Sequence, residues 1–404
     1  MSSTLVKAPI KRRSLFKRML PLYIGYFLQW SVFWYAIEKI FMLQIGFDTQ
    51  SISFSVALYS ATALMMEIPS GILADRWSRK GTLIIASLCL VASSMLGGIS
   101  SNVNMYLVSV VFWGIFIAMT SGTIEAIVYD VLLEEEGNAE NYEKEFNRVD
   151  IACSISLVLG GIGGGLIGQY IGLRETFLLS VPAAILSIVF LLAFNEPKIH
   201  KIDQDRSLIK HIKLTIQSIF RKKQLLQLLI SITAISIVWS IMSEIHQLWI
   251  AALLTPVILY GPVQALSSVG YGLGSYLARF IKSKKRILES MILALICLII
   301  IIFVHVIWVN IIAQFIALLI CYGVSVVLTH QLHDNLPSKV RAGASSALGA
   351  LKRILIIPIV ILFGVIAKGS DVFIAGWLLV IILVIAIISR LLMKPVLRIE
   401  AQNE

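Results

Sequence analysis

Gly71-Ile72-Leu73-Ala74-Asp75-Arg76-Trp77-Ser78-Arg79-Lys80 sets four charged side chains within ten residues, between two long apolar runs. A helix needs ~20 apolar residues to cross a hydrocarbon core of about 30 Å, and the run on either side is of that order. The charged stretch therefore predicts a water-facing hinge between two spanning helices.

Composition extends this reading to the whole chain. The 404 residues are 58% hydrophobic and only 14% charged, with a mean hydropathy of +0.88. Soluble domains carry about 25% charged residues, so a soluble globular fold is excluded. Cys89, Cys153, Cys297 and Cys321 all lie in apolar runs and read as small buried hydrophobes, with no disulfide framework or zinc site. The basic amino terminus runs into a span too long and too aromatic for a cleaved signal peptide.

Working outward from the hinge, apolar runs bounded by charge, Gly, Pro or Asn predict helices over 19–44, 52–72, 81–100, 104–129, 148–170 and 174–194. A second set covers 225–249, 257–279, 287–307, 309–331, 343–367 and 371–393. The expected fold is an all-α membrane protein with 12 transmembrane helices. Its expected parts are an N-terminal six-helix bundle (1–194), a cytoplasmic linker (195–224) and a C-terminal six-helix bundle (225–404). Within the linker, residues 208–220 have the apolar spacing of a surface-lying helix; a solvated connection fits equally.

Of the 34 Lys and Arg residues, all but five fall on one side of this layout. Arg174 and Lys368 lie opposite, and Lys39, Lys352 and Arg353 lie inside spans. Basic residues near span ends resist translocation, so both termini are expected in the cytoplasm. The net charge of +11 is then an orientation signal that also suits anionic lipid headgroups, and it implies no nucleic-acid partner.

The halves repeat. A shift of 203 residues lays Gly71 and Arg76 on Gly274 and Arg279, and a shift of 204 lays Tyr129-Asp130-Val131-Leu132 on His333-Asp334-Asn335-Leu336. Ala278 replaces the aspartate in the second copy, so the two hinges differ chemically.

The hinge resembles the G-x-L-x-D-R-x-G-R-K loop of the major facilitator superfamily, with Ser78 at the second glycine. Glu67-Ile68-Pro69-Ser70-Gly71, Ser121-Gly122-Thr123-Ile124-Glu125-Ala126 with Tyr129-Asp130, and Asn335-Leu336-Pro337-Ser338 with Arg341-Ala342 are similar to stretches of its bacterial 12-helix exporters. The resemblance implies two pseudo-symmetric six-helix bundles, a substrate site near the midplane between them, a monomer, and a bacterial plasma (inner) membrane. Two departures stand out. Val110 and Trp113 precede Gly114 where many proton-coupled members carry R-x-x-Q-G, and Gly164-Gly165-Leu166-Ile167-Gly168-Gln169 lacks the proline of the antiporter fifth span.

Charges inside spans are the most informative candidates, since one at a helix centre costs ~2.5–3.5 kcal/mol on insertion scales. Glu38, on a face with Trp34, and Glu244, with Gln247 at helical spacing, are candidates for proton coupling or substrate binding. In the family, spans one, four, seven and ten line the cavity, which implies that the two carboxylates face each other across it. Hydration near the outer surface, or structural pairing with Lys39 or His246, is the alternative. Arg353 is a candidate for holding an anionic group or pairing with Glu244, and Lys352 points about 100° away. Family resemblance makes Asp75, with Arg76 and Arg79, a latch against the start of the eleventh span near Arg341. Glu67, Glu125, Asp130, Arg148 and Asp334 are candidates for the same gate. The run Glu134 to Glu145 reads as a solvated face, and Gly160 to Gly165 as close helix packing.

No GKS or GKT phosphate loop, nucleophile triad or His-rich motif occurs in the chain, so no ATP drive, enzyme activity, metal or cofactor is expected. The reading is a secondary transporter that moves a small molecule by alternating access, as proton-coupled efflux of an amphipathic or drug-like compound. An importer or facilitator, a lipid flippase, and a non-transporting receptor or scaffold are the alternatives.

Overall fold

The computed structural model describes residues 12–197, 223–335 and 338–393. Most of the expected linker, including 208–220, lies outside the described residues. The chain is helical throughout its described spans: α1 (Arg12–Gln29), a 3-10 turn (Trp34–Ala36), α2 (Glu38–Gln44), α3 (Thr49–Arg76), α4 (Arg79–Ile99), α5 (Val103–Thr120), α6 (Thr123–Glu136), α7 (Tyr142–Tyr170) and α8 (Leu173–Ala193). There follow α9 (Lys223–Ala252), α10 (Val257–Ala278), α11 (Lys284–Phe303), α12 (Ile307–Asp334), α13 (Ser338–Gly369), α14 (Val372–Ala375) and α15 (Trp377–Leu392).

Ten stretches among the described residues are long and apolar enough to cross a membrane, with α5 and α6 together forming one of them. The broken α1–α2 unit and α10 complete the twelve. The polar and small side chains of α10, such as Gln264, Ser267 and Ser268, explain its weaker hydropathy; these three are buried against protein.

Three expected helices are interrupted, the twelfth only at Gly376 between α14 and α15. The first span breaks at Ser31–Phe33, where Ser31 Oγ and Ser156 Oγ both donate to the Phe27 carbonyl, at 3.0 and 2.6 Å. The Phe33 N–H donates to Ser180 Oγ at 3.0 Å. Irregular backbone at membrane depth persists only where protein supplies such partners. The bulge fits against the α7 glycines: a Cβ on Gly164 would stand 1.9 Å from the Phe33 carbonyl oxygen. The fourth span breaks at Gly122, whose φ of +75° is a left-handed turn that favours glycine.

The repeat is visible in contacts. Ser78 and Ser283 each cap the next helix, α4 and α11. Lys80 Nζ donates to the carbonyls of Leu192 and Phe194 at the end of α8, and Lys284 Nζ donates to those of Leu391 and Met393 at the end of α15.

Tight contacts join the two sets of helices at the end of the seam away from the hinge. Away from the Gly71–Lys80 hinge, Gly165 of α7 approaches Gly261 of α10 so closely that a Cβ would lie 2.7 Å from the Gly261 nitrogen. Gly364 of α13 presses on Ser53 of α3, and Lys368 Nζ meets Asp48 Oδ2 at 2.9 Å. Gly71, Gly272 and Gly349, toward the hinge, have open space where a Cβ would stand.

Candidate functional site

A charged cluster lies below the closed end of the seam. Glu38 opens α2 just after the break in the first span, and Lys39 follows it; both are buried. Lys39 Nζ stands 2.6 Å from Glu38 Oε2 and 3.7 Å from Glu244 Oε2 of α9. Tyr106 Oη donates to Glu38 Oε1 and Tyr59 Oη to Glu244 Oε1, each at 2.9 Å. Gln247 ties the same helices through backbone: its Oε1 accepts from the Lys39 N–H at 3.0 Å, and its Nε2 donates to the Tyr35 carbonyl at 2.8 Å. One ammonium thus sits between two carboxylates, and with all three ionised the cluster carries one net negative charge.

The space beside the cluster is a cavity of about 10 Å³, which is room for a single water. Val110, Trp113, Ser109 and Phe177 line it together with the charged groups. Val110 and Trp113 are the residues that depart from the family's R-x-x-Q-G pattern. Trp34 is part of the wall: its Nε1 donates to Ser94 Oγ at 3.1 Å and its ring stacks on Phe177 with centroids 5.0 Å apart. The site is closed to any larger molecule in this conformation.

Nearer the hinge, Arg353 Nε of α13 lies 3.7 Å from Glu67 Oε2 of α3. That carboxylate, and not Glu244, is the partner the structure gives Arg353. Lys352 Nζ lies 4.9 Å from the centre of the Trp239 ring, and Trp239, Tyr271 and Tyr322 meet edge to face with centroids 5.0 to 5.8 Å apart. No carboxylate among the described residues stands within salt-bridge distance of Lys352. A cation–π contact contributes ~0.5–2 kcal/mol, less than the ~2.5–3.5 kcal/mol cost of a charge at mid-span.

At the hinge, Asp75 is 71% exposed and among the described residues pairs with Arg79, at 3.6 Å. Arg79 also donates to Asp130 and, at 2.9 Å, to the Ala126 carbonyl of α6, while Arg76 is exposed. The carboxylate of Glu196 covers the start of α4, accepting from Ser78 Oγ at 2.6 Å and from the Arg79 and Lys80 N–H groups at 2.6 and 3.2 Å. A carboxylate there meets the positive end of the helix dipole. Arg148 pairs with Glu145 at 2.8 Å, and Tyr23 Oη donates to the same carboxylate at 2.7 Å. Glu145 is therefore a buried member of the expected solvated run. Glu125 sits in the first turn of α6 with Oε2 buried and without a hydrogen-bond partner among the described residues. Asp334 is exposed at the end of α12, and the Arg341 side chain lies outside the described residues.

Sequence reasoning missed Tyr59, Tyr106, Glu196 and the Trp239 cluster. Tyr59 sits about ten residues into α3, and that depth was its available signal; Tyr106 lies in the first turn of α5 and offered none.

The sequence profile of the Major Facilitator Superfamily matches residues 19–358. An uncharacterized transporter of Buchnera aphidicola subsp. Schizaphis graminum is 24% identical over 172 residues, 42% of each chain. Multidrug resistance protein 2 of Bacillus subtilis (strain 168) is 25% identical over 150 residues, 37% of this chain and 36% of that one. These matches span less than half the length of either relative. Among solved structures, nucleoside transporter NupG aligns with a TM-score of 0.75 at 15% identity, covering 94% of this chain and 98% of its own. An inward-facing, unoccupied bacterial homolog of the human lysosomal transporter Spinster aligns with a TM-score of 0.72 at 13% identity, covering 95% and 96%. The profile match spans most of the helical chain, from α1 into α13, and the chain belongs to the Major Facilitator Superfamily.

Proposed function

We propose that this transporter works by alternating access, couples to protons, and expels amphipathic small molecules across a bacterial inner membrane. The observation that carries the coupling is the Glu38–Lys39–Glu244 cluster, which spans the seam with two carboxylates on one ammonium. A buried unbalanced charge is costly, and a single proton makes this cluster neutral. Protonation of Glu244 removes its attraction to Lys39, weakens the seam, and favours opening at the Asp48–Lys368 end. If basic residues mark the cytoplasmic side, that end is the outer one and the present conformation is open inward.

The two halves, 1–194 and 225–404, then rock about the cluster, with Arg353 and Glu67 lining the inner path. Asp75, Arg76, Arg79 and Asp130 serve as the inner latch when that path closes, with Glu125, Arg148, Asp334 and Arg341 around them. The efflux direction is supported by relatives named as multidrug resistance proteins.

The test uses proteoliposomes with an imposed pH gradient and a panel of cationic, neutral and anionic amphiphiles. Wild type is expected to dissipate the gradient when its substrate is added. Glu244→Gln is expected to lose at least about tenfold of that response while retaining substrate exchange without a gradient. Gradient-driven flux at wild-type rate in both Glu244→Gln and Glu38→Gln contradicts the coupling.

A further inference from the structure

The second set of helices holds a group of donors that the proton cluster does not use. Lys352 lies about 20 Å along α13 from Ser338, at 1.5 Å per residue. Its ammonium rests on the Trp239 ring, while Arg353 and Lys39 each face a carboxylate. Trp239 Nε1 and Ser240 Oγ are buried and have no hydrogen-bond partner among the described residues. An ammonium and the indole that carries an unpartnered N–H therefore meet without an acceptor among the described residues. Buried polar groups are normally satisfied, and such exceptions occur where a ligand or solvent completes the set. Tyr271 and Tyr322 add aromatic faces beside the same indole.

We propose that Lys352 and Trp239 form the recognition site for an organic anion with a planar aromatic body, the carboxylate or equivalent taking the ammonium and the indole N–H and the ring packing on Tyr271 and Tyr322. An ionised acceptor forms charge-assisted hydrogen bonds with an ammonium, which are stronger than neutral ones. A cationic substrate in the same place meets the Lys352 ammonium, so the site selects by sign. The ring cluster would otherwise suit a cation, and Lys352 already fills that role. This inference rests on the proposed transport reading, and it names the substrate class for it.

Calorimetric titration of the full chain in nanodiscs tests it, with naphthoate, naphthamide and naphthylmethylamine as probes sharing one ring system. Wild type is expected to bind naphthoate at least about tenfold tighter than naphthamide, and naphthylmethylamine most weakly. Lys352→Gln should bring naphthoate and naphthamide within about threefold, Lys352→Arg should keep the preference, and Trp239→Phe should weaken naphthoate severalfold while sparing naphthamide. Equal thermal stability of the variants separates lost recognition from lost folding. A tighter amine, an unchanged preference in Lys352→Gln, or no binding of naphthoate overturns the proposal. Because the readout is binding, it is separate from the transport reading. Selective binding without flux leaves the anion site standing and removes transport; flux of neutral or cationic compounds without anion preference does the reverse.

Discussion

Asp48 holds the head of α3 and the closed end of the seam together. It accepts from the Ser51 N–H at 2.7 Å and from Ser51 Oγ at 2.6 Å, and Lys368 Nζ lies 2.9 Å away. The Ser51 hydroxyl, then its N–H, then the Lys368 ammonium hold the Asp48 carboxyl well below the usual carboxylate range. A folded value lower than the unfolded one gives stabilisation that is complete above about pH 4 and is lost as pH falls below it. Asp48→Ala should cost ~1 kcal/mol through the cap and ~0–1 kcal/mol through the exposed ion pair. Thermal unfolding at pH 7 and in acid checks this, and the gap from wild type should narrow in acid. At this scale the sequence exposed Glu38 and Glu244 because carboxylates in apolar runs stand out. It hid Tyr59 and Tyr106, since tyrosine in such a run also serves packing. Lys39 was legible as a partner of Glu38, but its position between two carboxylates depends on how α2 and α9 meet.

The informative elements are the broken ones. Apolar periodicity predicts a continuous first span, yet α1 ends at Gln29 and α2 begins at Glu38. No local residue forces that break; the hydroxyls of Ser156 and Ser180 and the glycines of α7, all distant in sequence, make it possible. The Gly160 to Gly165 run announced close packing, but not that its partner was a bulge. Two glycines should therefore respond oppositely to alanine. Gly164→Ala drives a methyl into the Phe33 carbonyl and should destabilise by at least about 2 kcal/mol. Gly71→Ala meets open space and should be neutral or stabilising by ~0.5–1 kcal/mol. Melting curves of the two variants in one detergent check the pair, and equal melting temperatures would remove the packing argument.

For the whole molecule, hydropathy and the 204-residue repeat were enough to predict the twelve-helix fold, because spanning lengths and hinge charges are local properties. Which end of the seam is closed was not legible. It depends on contacts such as Gly165 with Gly261 and Asp48 with Lys368, which join residues far apart in the chain. Nor can one sequence reveal which conformation a two-state transporter occupies. In the proposed mechanism, protonation of the Glu38–Lys39–Glu244 cluster opens the Asp48–Lys368 end. Linkage requires that a proton favouring the opened state also shift the molecule toward it. The most direct measurement is the spin-label distance between Gln44→Cys and Ser370→Cys, on a background lacking the four native cysteines, recorded from pH 8 to pH 5. The account predicts a longer distance gaining population on acidification in the wild-type cluster, and a pH-independent long population in Glu244→Gln. A distance distribution that ignores pH in the wild-type cluster, or one that responds equally in Glu244→Gln, would contradict it.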